Sequence, residues 1–516
     1  MRTAPAHRGL PAWDEGLAAP AIPDHLAIHD NALADAVLDV RQPFGPGRGT
    51  SAAACPPGVA PVDPAGDAAG PVRPEEPGPG AGPAPAHGPA GVAADRRPLR
   101  IGISCYPSSG GSGVVATELG HQLAARGHQV HFISHDVPFR LDLTRPGIHF
   151  HPVEVPSYPL FTYPPYDLAL ANQMAAVAET WGLDLLHVHY AIPHATAAYL
   201  ARAMLGPGRP LRVVTTLHGT DITLLGTHPS FQRIVEFSIN RSDAVTVVSH
   251  HLREATLAAF RVERPLEVIP NFVDPAVFHP PLHRDDPALR RGLAEPGERV
   301  LVHVSNFRPA KDAPTVIAVF ARVCREVPAR LLLVGHGPDV DRCAHMAHQL
   351  GIADRVRFLG EHADVARLLA AADLFLLPSR QEAFGLAALE AMACGVPVVA
   401  ARTGGLPEVV EHGRTGYLLP PGDVEGMARC ALELLRDPDR HAAFARAAAE
   451  TARRRFAAEA IVPRYEALYR RLLATAPANA TAGPGGTAPS PGDGAPSPGR
   501  VAAGTDTPSV PGRDVR

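Results

Sequence analysis

RIGISCYPSSGGSGVVATELGHQLAARGHQVHFIS, from Arg100 to Ser134, carries the pattern that decides the fold. A short apolar strand, Arg100–Ser104, runs into a glycine-rich turn, Ser108–Gly113. A helix is expected over Val114–Arg126, and a second strand over Val130–Ser134. Both strands are continuous apolar runs, as expected of parallel strands buried on both faces. Working outward, strands are expected at Leu185–His189, Leu211–Leu217, Ala244–Ser249 and Leu266–Ile269. A proline-rich linker, Asn271–Pro281, follows. A second series then runs through Val300–Ser305, Arg330–Val334, Val356–Leu359, Leu374–Leu377 and Val398–Ala400. The fold class is α/β, with two doubly wound Rossmann-like domains, residues 98–275 and 276–456. Their ligands belong in a central cleft at the C-terminal ends of the strands. A last helix, 457–475, is expected to pack back on the first domain.

The flanks differ in kind. Within residues 1–97, Pro11–Phe44 is mixed and faintly periodic and its state is left open, whereas Gly45–Asp95, Pro/Gly/Ala-rich, and residues 476–516 hold too few large apolar side chains to offset chain entropy. Both of these low-complexity segments are expected to be disordered, and the two extensions carry most of the excess among 56 prolines and 47 glycines. A formal charge of -4 offers no general attraction to nucleic acid or anionic membrane. Met1–Gly16 lacks the apolar core of a signal peptide, and no apolar run is long enough for membrane insertion. Cys55, Cys105, Cys324, Cys343, Cys394 and Cys430 are scattered, with no C-x-x-C pair. That usage is expected of reduced thiols in a cytoplasmic protein.

Of 48 Lys plus Arg residues only Lys311 is lysine. A lysine kept against that bias suggests a task for a compact ammonium rather than a planar guanidinium; a chance surface lysine is the plainer alternative. It lies in Ser305–Lys311, just after the first strand of the second domain. There Arg308 and Lys311, three residues apart, can reach one diphosphate together and neutralise charge growing on a leaving group. Ser108–Gly113 allows backbone to approach an anion at a helix start, although such turns also simply pack a strand on a helix. It is not G-x-G-x-x-G, which counts against a nicotinamide enzyme. Thr215–Asp221 places His218 and Asp221 at a strand's C-terminal end, where the alternative is a histidine that caps a turn. In Pro378–Pro397, where a helix is expected from near Phe384 to Gly395, Glu382 and Glu390 are separated by seven residues, and by spacing alone two such glutamates would be a solvated face.

The surroundings of those glutamates decide otherwise. Pro378–Pro397 resembles the Glu–seven–Glu motif of the family 4 retaining glycosyltransferases, which have the GT-B fold. Asn271–Asp274, the Arg308/Lys311 loop, Gly335–Pro338 and Gly404–Val410 match the same family in order, so the resemblance spans roughly Leu99–Leu473. It implies that His218, Arg308, Lys311 and Glu382 are catalytic. Gly111, Arg308, Lys311, Gly335, Glu382, Phe384, Gly385, Leu386 and Glu390 would bind the donor, with Glu390 on the ribose. Ser112, Tyr190 and Thr216 would bind the acceptor. No metal and no cofactor are implied, the nucleotide sugar being a substrate.

Within the family, Ile101–Gly120, Pro138–Arg140, His187–His194 and Leu217–Thr223 are similar to the branch that transfers N-acetylglucosamine from UDP-N-acetylglucosamine to L-malate, the first step of bacillithiol biosynthesis. A homodimer is left open. His336 stands where the family usually has Asp, and the residues flanking Lys311 are atypical. Three alternatives remain. A related transferase acting on inositol phosphate or a glycan would, for the phosphate, need extra cations in the first domain. A UDP-sugar epimerase would release UDP without any acceptor. A silent binding protein would be expected to lose the charged site residues.

Overall fold

The computed structural model describes residues 97–475, apart from 157, 158, 160–162 and 283–286. The expected extensions lie outside the described residues, Arg97 excepted. The first domain is a seven-stranded parallel sheet in the order β3-β2-β1-β4-β5-β6-β7. Its strands are β1 (Arg100–Ser104), β2 (Gln129–Ser134), β3 (Ile148–Pro152), β4 (Leu185–His189), β5 (Arg212–Leu217), β6 (Ala244–Val247) and β7 (Leu266–Val268). The second is a six-stranded parallel sheet in the order β10-β9-β8-β11-β12-β13. It comprises β8 (Arg299–Val304), β9 (Ala329–Val334), β10 (Val356–Gly360), β11 (Leu374–Leu377), β12 (Val398–Ala401) and β13 (Gly416–Leu419). In each sheet the order reverses beside the first strand, β1 or β8, and the chain leaves that strand into a loop facing the cleft.

Two strands escaped the sequence pattern. In β3 the alternation of Ile148, Phe150 and Pro152 with His149 and His151 hides a half-buried edge strand. Only four residues make β13. Two helix starts also differ from expectation. The first helix is Gly111–Ala125, three residues earlier, because the N–H of Val114 already donates to the Gly110 carbonyl. The helix expected from Phe384 begins instead at Leu386. Gly385 holds φ +99°, where a Cβ would also come within 2.5 Å of Leu406.

The chain crosses between domains twice, and the crossings lie side by side. Val273 donates to the Phe456 carbonyl at 3.0 Å, and Ala458 donates back to Val273 at 2.9 Å. The last helix, Ala458–Ala474, then packs on the first domain, burying Tyr465 and Tyr469 among Leu99, Ile101, Val130 and Phe132. Losing either ring from such a site would remove about 3 to 5 kcal/mol of stability.

Candidate active site in the interdomain cleft

On the second-domain side, three loops at the strand ends are knitted together. After β8 the chain turns through Phe307 at φ +46°, a buried side chain whose N–H donates to Ser305 Oγ. His303 bonds the same hydroxyl at 2.8 Å and the Leu376 carbonyl at 2.8 Å, which ties the loop to β11. The turn Pro309–Lys311 presents Lys311 to Glu382, Nζ to Oε2 2.7 Å, with both side chains largely buried. The N–H groups of Arg380 and Gln381 donate to Ala310, and Arg380 Nε meets Asp312 at 3.0 Å. Arg308 projects beside this turn and is exposed.

Glycines let the other loops close on these. A Cβ at Gly335 would collide with the Ser305 carbonyl oxygen, and one at Gly337 with that of Asn306. Gly404 lies against the Glu382 carbonyl as tightly, and Gly405 donates its N–H to that oxygen at 2.9 Å. Glu390, in helix Leu386–Ala393, is buried. Its carboxylate meets Arg140 of the first domain at 3.2 Å. Burial raises its pKa while Arg140 pulls it back.

On the first-domain side, the start of helix Gly111–Ala125 faces the start of helix Leu386–Ala393, since a Cβ at Gly111 would touch Leu386 at 3.9 Å. Gly113 cannot carry a side chain, because a Cβ would stand 2.5 Å from the Ser108 carbonyl oxygen. Tyr190 leaves β4 at φ +87°, a conformation kept by the structure around it. Its phenol lies among the Ser112 and Thr220 hydroxyls, and burial raises its pKa. The Tyr106 ring packs edge-on to Tyr190 at 5.4 Å. Beyond β5, Asp221 accepts N–H bonds from His218, Gly219 and Ala191. Burial lifts Asp221 to about 6. His218 Nε2 lies 2.8 Å from His189 Nδ1, and burial pushes His218 down to about 3, so the imidazole is neutral near pH 7.

The sequence-assigned residues thus converge on one cleft, with one exception. Thr216 is fully buried, and its hydroxyl bonds His187 at 2.7 Å and Thr246 at 2.6 Å. His187 in turn bonds Tyr469 on the last helix, so the Thr216 hydroxyl is committed to a buried network that reaches the last helix.

Sequence reasoning missed the contacts between the two sides. Ser249 donates to the Ala383 carbonyl at 2.6 Å, and Ser109 to Glu361 at 2.5 Å. Glu408 accepts both N–H groups that open helix His250–Ala259, each at 2.9 Å. Glu408 had a signal, standing inside the quoted Gly404–Val410 segment; Glu361 had none.

Residues 109–277 match the family described as Glycosyltransferase Family 4, and residues 285–451 that described as Glycosyl transferases group 1. N-acetyl-alpha-D-glucosaminyl L-malate synthase of Bacillus anthracis is 50% identical over 377 residues, 73% of this chain and 97% of the relative. A D-inositol 3-phosphate glycosyltransferase of Stackebrandtia nassauensis is 35% identical, over 52% of this chain and 64% of its own length. Among solved structures, Anabaena HepE in complex with UDP-glucose superposes with a TM-score of 0.61 at 26% identity, covering 72% of this chain and 99% of that one.

Proposed function

The chain belongs to the family 4 glycosyltransferases, and on that premise we propose that it moves N-acetylglucosamine from UDP-N-acetylglucosamine to the hydroxyl of L-malate with retention at the anomeric carbon. The observation that carries this reading is the 50% identity with the malate synthase across 97% of that relative. It takes in the acceptor half, where Ser112, Tyr190 and Thr220 form one hydroxyl cluster.

Each side of the cleft then has a chemical task. Arg308 and Lys311 take up the charge that accumulates on the departing UDP, so that no metal is asked for. Glu382 holds the Lys311 ammonium in place and faces the donor sugar. The neutral His218 hydrogen-bonds the sugar, and Glu390 accepts from the ribose hydroxyls. Ser112 and Tyr190 receive the malate. The anomeric C–O bond to the diphosphate breaks as the malate oxygen bonds on the same face. The malate hydroxyl proton passes to the departing phosphate oxygen, so no side chain acts as base.

Among the described residues no helix is long and apolar enough to cross a membrane. The reaction is placed in the cytoplasm, with the enzyme acting as a monomer or a homodimer. The test is UDP release from UDP-N-acetylglucosamine by purified protein, with and without L-malate. Malate-dependent release with a sugar–malate product supports the reading. Release independent of malate, or release that appears only with inositol phosphate, overturns it.

A further inference from the structure

Pro138–Phe139–Arg140 leads from β2 into the cleft, and no role assigned so far uses it. Arg140 holds φ +66°, uncommon for a residue with a side chain, which signals a backbone fixed by its surroundings. Its guanidinium lies 5.7 Å from the Phe139 ring centroid and 5.8 Å from that of Phe278, and its side chain is only 13% exposed. From there Nη1 reaches Glu390 Oε1 at 3.2 Å. These residues are 250 apart in sequence and belong to different domains. The contact is single-pronged, leaving Oε2 for a ligand. Arg140 Nε is buried with no hydrogen-bond partner.

We propose that Arg140 is a positioning residue for the donor nucleotide: from the first domain it orients the Glu390 carboxylate and keeps it ionised, so that the ribose is gripped only when both domains close on it. A vicinal diol suits this pair. Each hydroxyl can donate to an ionised carboxylate, which only accepts, and can itself accept from an N–H such as the unmet Nε. A buried carboxylate without its cation tends to take up a proton, and a protonated acid accepts the diol poorly. The charged groups that face Glu390 are Arg140 and, from helix Gly111–Ala125, Glu118, whose negative charge adds to the pressure to protonate. This inference rests on the assignment of Glu390 to the ribose.

The test is calorimetric titration of the full chain with UDP and with 2′-deoxy-UDP between pH 6 and 8, for the wild type, Arg140→Met, Arg140→Lys and Glu390→Gln. The wild type should favour UDP over the deoxy nucleotide and show little pH dependence. Arg140→Met should bind UDP at least tenfold more weakly, lose most of the UDP/deoxy discrimination, and weaken further as the pH falls. Arg140→Lys should recover part of each effect. A merely structural role would weaken both nucleotides alike and leave the discrimination intact, which overturns the proposal. So does wild-type behaviour of Arg140→Met beside a weakened Glu390→Gln, although the ribose assignment then survives. Undiminished discrimination in Glu390→Gln removes that assignment itself, and the proposal with it.

Discussion

The two walls of the cleft are built by different means. The second-domain wall is mostly main chain: glycines at 335, 337 and 404 let carbonyls and loops meet without side chains between them, and two ion pairs, Lys311–Glu382 and Arg380–Asp312, span the gap. The first-domain wall is mostly side chain. The Tyr190 phenol lies among the Ser112 and Thr220 hydroxyls, and the Asp221 carboxylate holds the N–H groups of Ala191, His218 and Gly219, with neutral histidines behind them. A wall of main chain tolerates almost no substitution at its glycines but suits a ligand part shared by many enzymes, the diphosphate. A wall of side chains can be altered residue by residue, which suits the part that varies, the acceptor.

The comparison can be broken most severely at Gly335. With φ +119° and the Ser305 carbonyl in the way, Gly335→Ala should lose about 3 kcal/mol of stability. UDP binding should collapse with it. A melting curve and a UDP titration check this, and wild-type values for both would show that the loops are not glycine-locked. Next is Lys311→Ala, expected to cut transfer at least tenfold, about 1.4 kcal/mol of barrier, with malate KM unchanged. An unchanged rate would remove the diphosphate assignment.

On the other wall, Ser112→Ala should raise malate KM roughly fivefold, about 1 kcal/mol for one lost hydrogen bond, and leave UDP affinity alone. A parallel loss of UDP affinity would mean the walls do not divide the work. Acidity gives a finer probe. The buried Asp221 carboxyl, which accepts three N–H bonds, is lifted to about 6 by its burial. The fold therefore binds this proton more tightly than an unfolded chain does, so the melting temperature should rise slightly as the pH drops through about 6, and Asp221→Asn should lose that rise. The smallest effect belongs to Thr216→Val. It should lower stability by about 1 kcal/mol while malate KM stays within twofold; a tenfold rise would return Thr216 to the acceptor site.

What the sequence made legible followed from local physics. Continuous apolar runs such as Leu374–Leu377 must be buried on both faces, so the two parallel sheets could be read directly. The Lys311 loop was legible from the lysine bias and its place after a strand, whereas the two glutamates, a solvated face by spacing alone, were assigned only through the family resemblance. The edge strand Ile148–Pro152 was not, because an edge is half exposed and its histidines dilute the apolar signal. The pairing of Arg140 with Glu390 could not be read either, since it depends on how two domains close and neither residue's neighbours encode the other. Thr216 shows a subtler difference: the motif placed it at the correct strand end, but its hydroxyl is taken up by His187 and Thr246 on neighbouring strands, which the motif does not encode.

The last helix, Ala458–Ala474, completes the core of the domain whose first strand is Arg100–Ser104. During synthesis the first domain therefore waits. Leu99, Ile101 and Phe132 stay without their cover until Tyr465 and Tyr469 have left the ribosome, by which time the whole second sheet has already emerged. The usual order, with the amino-terminal domain finished first, is reversed here. A chain that stops at Phe456 would present its exposed apolar face at the beginning of the fold rather than at its end.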